Sequence, residues 1–284
     1  MRYPILFCLL FIGILGSCKN KLLIKAGITK GEVNEKLIDT SGRTIAKRIA
    51  CPSSFSRIPA SEESFTVYLR NLPLKPSDED VLLFDGRSKR VFVHCGVIDM
   101  PLRNKDLQQC ADSGMRLYAE YLYANKQYNK ITFNFTNGQP CAYVNYAEGK
   151  RIQFNGNTAN WIQKAKKDYG YDTFQDYLDL VYTYAGSFSL SEELKKVTID
   201  SIQPGDLFIH PGFPGHVVIV MDVCKNVNSG ERLFLLAQGF TPAQEIEILI
   251  NLDEGKINPW YSIQHDLIAT PQFNFNGDEL YRWE

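Results

Sequence analysis

Apolar residues recur at helical spacing from Leu107 through Ala111, Met115 and Tyr118 to Leu122, while Arg116 and Glu120 share another face. This pattern predicts a helix over 107–125, opened by a capping box with Asp106 as N-cap and Gln109 three residues on. Ser61-Glu62-Glu63 starts a second, short helix with a capping residue and an acidic first turn, ending near Pro73. Residues 173–184 predict a third helix, and Ser189-Leu190-Ser191-Glu192 the start of another. Strand-like runs lie at 81–84 and 90–93 around the turn Asp85-Gly86-Arg87-Ser88, and at 131–135 and 142–146. Further strands are expected at 206–209, 216–221, 233–238 and 245–250. The 216–221 run is almost continuously apolar, which predicts burial on both faces. Helices followed by a run of antiparallel strands imply an α+β fold.

The N-terminus follows a different pattern. Arg2 precedes an apolar run over 4–15, then Gly16-Ser17-Cys18. A basic start, a short apolar stretch and small residues before a cut are the parts of a secretory signal. The run is too short to cross about 30 Å of hydrocarbon as a helix. Leu15-Gly16-Ser17-Cys18 resembles a bacterial lipobox, which implies cleavage after residue 17 and lipid on Cys18. The expected organisation is a signal peptide over 1–17, a flexible tether over 18–47 and one domain over 48–284. The resemblance implies attachment to a membrane of the cell envelope, the outer membrane being the expected one, with its periplasmic and surface faces both open.

Composition narrows the function classes. Hydrophobic residues make up 44% of the chain, with 15 Tyr and 17 Phe, which is a globular composition. A net charge of -1 and scattered lysines give no basic patch, so no nucleic-acid partner is expected. No glycine-rich nucleotide loop appears, and no organic cofactor is expected. His94, His210 and Cys224 lack metal-ligand spacing, so no metal is expected either. Asp78-Glu79-Asp80 reads as a solvated loop or helix start, and the three tryptophans as core or rim. Beyond Cys18, the cysteines Cys51, Cys95, Cys110, Cys141 and Cys224 are an odd number, so an oxidising compartment leaves at least one free thiol.

One constellation carries chemistry. Cys110 falls in the first turn of the strongest helix, His216 opens a strand after Pro211-Gly212-Phe213-Pro214-Gly215, and Gln238 ends the next strand. A helix N-terminus favours thiolate over thiol, and a nearby imidazole serves as general base and then general acid. A third polar side chain then fixes the imidazole tautomer. Gln238 is the first choice, with Gln244 and Asp222 as alternatives. Gln109 is a candidate oxyanion donor, although a backbone N–H would serve as well.

Pro204-Gly205-Asp206-Leu207 followed by Gly215-His216-Val217 resembles papain-like hydrolases of the cell-wall peptidase type, the NlpC-type and CHAP-type groups. In them a cysteine starts a helix, and a strand entered by Gly-His-Val carries the histidine. Here Gln109-Cys110-Ala111-Asp112 departs from their usual Asp-Cys-Ser triplet. A wider likeness rests on Phe55-Ser56-Arg57, 68–74, 106–112, 133–138, 214–216, 236–238 and 242–244. Over about 48–284 the chain resembles an uncharacterised family of bacterial lipoproteins, domain of unknown function 4846. Together the resemblances imply a papain-like fold with inserted elements and a thiol hydrolase acting on peptidoglycan or another envelope peptide. The alternative is a non-catalytic binding or scaffolding lipoprotein on the same fold.

Overall fold

The structure is a computed structural model that describes residues 35–284, apart from 157, 253, 254, 256 and 263–265. The signal segment 1–17, Cys18 and the tether as far as residue 34 lie outside the described residues. The helices are α1 (Ile45–Arg48), α2 (Phe65–Arg70), α3 (Cys110–Ala124), α4 (Tyr143–Ala147), α5 (Tyr171–Tyr184) and α6 (Ser187–Glu193). Three small antiparallel pairs stand apart from the main sheet. They are β3 (Thr132–Asn134) with β4 (Pro140–Ala142), β5 (Lys150–Asn155) with β6 (Thr158–Gln163), and β13 (Leu267–Ala269) with β14 (Asn274–Asn276).

The main sheet is built on β9 (His216–Asn226), flanked by β8 (Leu207–His210) and β10 (Arg232–Gln238). Beyond β10 come β11 (Glu247–Leu249) and β2 (His94–Val97); beyond β8 come β15 (Leu280–Arg282) and β7 (Lys195–Lys196). Two short strands, β1 (Phe55–Arg57) and β12 (Tyr261–Ser262), pair with β9 and β10 respectively. Every pairing is antiparallel. The fold is therefore α+β, as the sequence pattern implies.

Both faces of this sheet are covered, which explains the unbroken apolar run in β9. On one face Val217, Ile219 and Met221 join a core with Ala111, Met115 and Leu117 of α3. Gly114 marks their approach: a Cβ there would sit 3.1 Å from the Leu207 side chain. On the other face Val218, Val220 and Val223 join Phe208, Leu236, Ile268 and Phe275, so the β13–β14 pair forms the second cover. Truncating a buried leucine in either layer to alanine is expected to cost about 2–5 kcal/mol.

A bulge changes the alternation. Leu235 pairs with Asp222 but Leu236 with Val220, so Met221 is the extra residue on β9. The extra residue sets Asp222 and Cys224 on the helix face, the same face as Val217 and Ile219. There the fully buried Asp222 accepts from Arg57 Nε at 2.5 Å and from Arg70 Nε at 2.7 Å.

Several expected elements change. Residues 35–47 include a folded part: Leu37 and Ile45 lie in the core, Ile38 bridges Ile49, and Ala50 N–H donates to the Leu37 carbonyl at 2.8 Å. The fold thus begins before residue 48, because apolar side chains too sparse to show a period still find a common core. Residues 81–83 close a minimal hairpin on 87–89, with Leu83 N–H on the Arg87 carbonyl and Lys89 N–H on the Val81 carbonyl, both at 2.8 Å, and 90–93 take no part in it. Leu82 bridges Ser88, but Phe84 N–H and Glu245 N–H bond across to Ala243 and Leu82, spending the backbone on the segment before β11. Residues 143–146, expected as strand, are helical in α4. Tyr143 and Ala147, four apart, are both fully buried, and Tyr143 packs edge-on against Phe174 at 5.4 Å. The hairpin β5–β6 and the strands after β11 were not expected from the pattern.

Candidate active site at one end of the central sheet

The site forms where β9 begins, β10 ends and α3 begins. The helix starts at Cys110, later than residue 107, and its N-cap is Gln109. Asp112 Oδ2 accepts from Gln109 N–H at 2.9 Å, the reciprocal half of a capping box. Asp106 instead accepts from Ala243 N–H at 2.7 Å, tying the segment before α3 to the segment after β10. The close approach extends to Gly239, where any Cβ would fall 2.1 Å from Ser113 Oγ and 2.8 Å from the Gln109 carbonyl oxygen. Only glycine fits there, so residue 239 fixes how near β10 comes to the helix start.

Cys110 is half-buried, and the backbone amides of Val217, Ala111 and Cys110 face its sulfur. Each amide favours thiolate, yet burial and then the neighbouring Asp112 carboxyl raise the thiol above its ordinary pKa. The resting form of Cys110 at neutral pH is the thiol, and a base is needed to deprotonate it. Asp112 is nearly fully buried, and its pKa is raised to about 8 by burial against the opposing Gln109 N–H bond. Its Oδ1 has no partner among the described residues and is the atom placed to hold that proton.

His216 lies one residue before the amide that faces Cys110. Its Nε2 is 2.8 Å from Gln238 Oε1. An amide oxygen only accepts, so Nε2 carries hydrogen and the neutral ring leaves a lone pair on Nδ1. Burial lowers the His216 pKa, with the Gln238 bond opposing, so the ring is neutral around pH 7. Phe240 and Phe273 pack on it at 5.2 and 5.3 Å, and only 3% of the residue is exposed. Among the described residues, His216 and Cys110 share no hydrogen bond.

Strand alternation assembles the rest. Ala237 points into the helix-side core, so Gln238 points to the opposite face; Ile246 and Ile248 do the same for Glu247. Gln238 and Glu247 are directly paired across β10 and β11. Gln238 Nε2 donates to Glu247 Oε1 at 2.9 Å and to Gln272 Oε1 at 2.7 Å, which fixes the amide with its oxygen toward His216. Lys89 Nζ donates to Glu247 Oε1 and, at 2.9 Å, to Gln272. Gln244 Nε2 also donates to Glu247, at 3.1 Å. Burial opposes the charge on Glu247, but His94, Lys89 and Gln238 together hold its pKa down to about 2. His94 Nδ1 stands 3.5 Å from Glu247 Oε2, too long and poorly aimed to satisfy either atom.

Of the candidates for a third member, Gln238 touches His216, Gln244 reaches Glu247 and the Glu245 carbonyl, and Asp222 is locked to its two arginines away from the imidazole. Gln109 Oε1 accepts from Thr241 Oγ1 at 3.0 Å, so the amide N–H₂ group is the end of this side chain that can donate. Lys89, Glu247 and Gln272 were missed from sequence. Glu247 alone left a signal, a carboxylate inside the apolar run Ile246 to Ile250. His94, His210 and Cys224 sit apart: His94 at Glu247, His210 bonded to Glu279 at 2.6 Å, and Cys224 against Cys51. Of the tryptophans, Trp260 is fully buried with its N–H on the Ala50 carbonyl, and Trp283 stacks on Tyr118. Among the described residues no helix is long and apolar enough to cross a membrane.

The model of one family, described as Domain of unknown function (4846), matches residues 45–282. No curated protein and no solved structure matches the chain.

Proposed function

The chain belongs to that family, whose description assigns no activity, and from the site itself we propose a thiol hydrolase of the cell envelope. In this reading it cuts amide bonds of peptidoglycan or another envelope peptide and is held on a membrane by lipid on Cys18. The observation that carries the reading is the buried line Glu247–Gln238–His216, which ends in an imidazole with its free lone pair on Nδ1. The next residue's amide faces the Cys110 sulfur. Nδ1 takes the thiol proton as sulfur attacks the substrate carbonyl carbon, and gives it to the leaving nitrogen as the C–N bond breaks. Water then hydrolyses the thioester, releasing a carboxylic acid and restoring the thiol. In this reading the Gln109 side-chain N–H, with backbone amides at the start of the helix, donates to the oxyanion. Lipid attachment is supported by the apolar run, Leu15-Gly16-Ser17 and Cys18.

The direct test is digestion of purified peptidoglycan, read by mass spectrometry. Wild type should release new amine and carboxyl ends, and Cys110→Ala should release none. His216→Ala should retain about 1% of the rate or less. A second reading, a non-catalytic binding or scaffolding protein, is favoured by the burial of His216 behind Phe240 and Phe273. Iodoacetamide labelling separates the two. A rate for Cys110 that is slow and indifferent to His216→Ala sinks the hydrolase reading and keeps the binding one.

A further inference from the structure

Away from this site, two other cysteines meet at the opposite end of β9. Cys224 is fully buried near the strand's C-terminus, on the helix face set by the Met221 bulge. Its antiparallel neighbour on β1 is Arg57. Cys51 lies shortly before β1, and its segment is pinned to the same place by three bonds. Arg57 Nη2 donates to the Ile49 carbonyl at 2.5 Å, Trp260 Nε1 to the Ala50 carbonyl at 2.8 Å, and Ala50 N–H to Leu37. The Cys51 and Cys224 side chains meet here, close enough for the two thiols to interact.

We propose that Cys51 and Cys224 form a redox-controlled disulfide that staples the N-terminal segment of the domain to the central sheet. The two sulfurs differ in access. Cys51 is half-buried and lines an open cleft of about 470 Å³ with Lys36, Lys47, Arg48 and Arg57. The bond donated by Cys224, followed by the nearby Arg57 and Arg70 charges, lowers the Cys51 pKa despite burial, whereas the Cys224 thiol is pushed up. Cys51 is therefore the attacking sulfur and Cys224 the resolving one. Four basic residues against one acid, Asp39, line the cleft, and this suits an anionic small-molecule disulfide as oxidant. The Cys51 thiolate attacks it, forming a mixed disulfide and releasing one small thiol. Cys224 sulfur then attacks Cys51, its proton passes to the second small thiol as that leaves, and two electrons have moved to the oxidant. The closed loop spans most of the domain, so the bond restricts the unfolded chain strongly.

The test uses the full chain carrying Cys110→Ala, reduced, then exposed to glutathione disulfide and blocked with iodoacetamide. Non-reducing peptide mapping should recover a Cys51–Cys224 linked peptide, with the intact mass lower by two hydrogens. The melting temperature should rise by roughly 5 °C or more over the reduced form. Cys51→Ser should lose both the link and the rise, and Cys224→Ala should trap the glutathione adduct on Cys51. Wild-type pairing that stops at a stable adduct on Cys51, links a different pair, or leaves both thiols open to alkylation would overturn the proposal. Using both single variants guards against misfolding of either one, because Cys51→Ser alters only a half-buried position.

Discussion

Two of the fully buried carboxylates among the described residues stand on strands of the central sheet, Asp222 on the helix face and Glu247 on the other, and they are completed differently. Asp222 has both oxygens filled: Oδ2 by Arg57, and Oδ1 by Arg70 and by Val223 N–H at 2.9 Å. Such a site is closed, and its work is to hold β1 and α2 on β9. Glu247 crowds Lys89, Gln238 and Gln244 onto one oxygen and leaves Oε2 facing His94 without a good bond. From it runs an amide and then a neutral imidazole. A buried charge marks a structural lock when every lone pair is met. It marks a candidate functional site when part of its capacity is passed along a chain of polar groups or left over.

Breaking each cluster should therefore have different consequences. The largest expected effect on stability is Asp222→Ala, which leaves two arginines without their carboxylate and should cost about 3–5 kcal/mol in urea unfolding. The Cys110 labelling rate should not change; a change of tenfold or more would mean that the two clusters are coupled. Next, Glu247→Gln keeps the shape but strands Lys89, with a loss of about 2–3 kcal/mol. It also frees the Gln238 amide to turn, so Cys110 labelling at pH 7 should slow. An unchanged labelling profile would reduce Glu247 to a structural role like that of Asp222.

Acid sharpens the same contrast. The His216 pKa is lowered on folding, so the unfolded state binds the proton more readily once the pH falls below about 6.5. Stability present above that value is lost as the pH falls toward the folded pKa. Glu247, held down to about 2, adds stability that is full above about 4.5 and is lost between there and pH 2. Denaturation midpoints followed from pH 7 to pH 3 should fall in both windows, and His216→Phe should remove the upper one. The smallest expected effect is at the thiol. Asp112 keeps its proton up to about pH 8 and repels thiolate only above that. Asp112→Asn should then speed Cys110 labelling by about twofold above pH 8 and leave it unchanged below. Acceleration at pH 6 would show that Asp112 is already charged there.

Much of the scaffold could be read from local pattern because local physics made it. The spacing from Leu107 to Leu122 predicts α3, since one stripe of a helix had to be buried. The apolar run from Val217 to Met221 predicts a strand covered on both faces. Cys110, His216 and Gln238 could be proposed because each stands at an element terminus, where side chains reach the end of a sheet. The start of α3 was misplaced because Asp106 offers a capping side chain in sequence but spends it on Ala243, far along the chain. Residues 142–146 were misread because apolar alternation cannot exclude helix when an aromatic cluster waits for Tyr143.

Short-range facts are legible along the chain: an apolar run before Cys18, a capped amphipathic helix, β-rich runs and the placing of polar residues at their ends. Which of those polar residues meet is set by strand register and packing. Gln238 and Glu247 face one another through the register of β10 on β11, while the extra residue at Met221 turns Asp222 and Cys224 to the other side. A register is fixed by hydrogen bonds between distant segments, and a shift of one position inverts every side chain beyond it. The partners of His216 and the pairing of Cys51 with Cys224 therefore follow from long-range packing, which the spacing of residues along the chain does not encode.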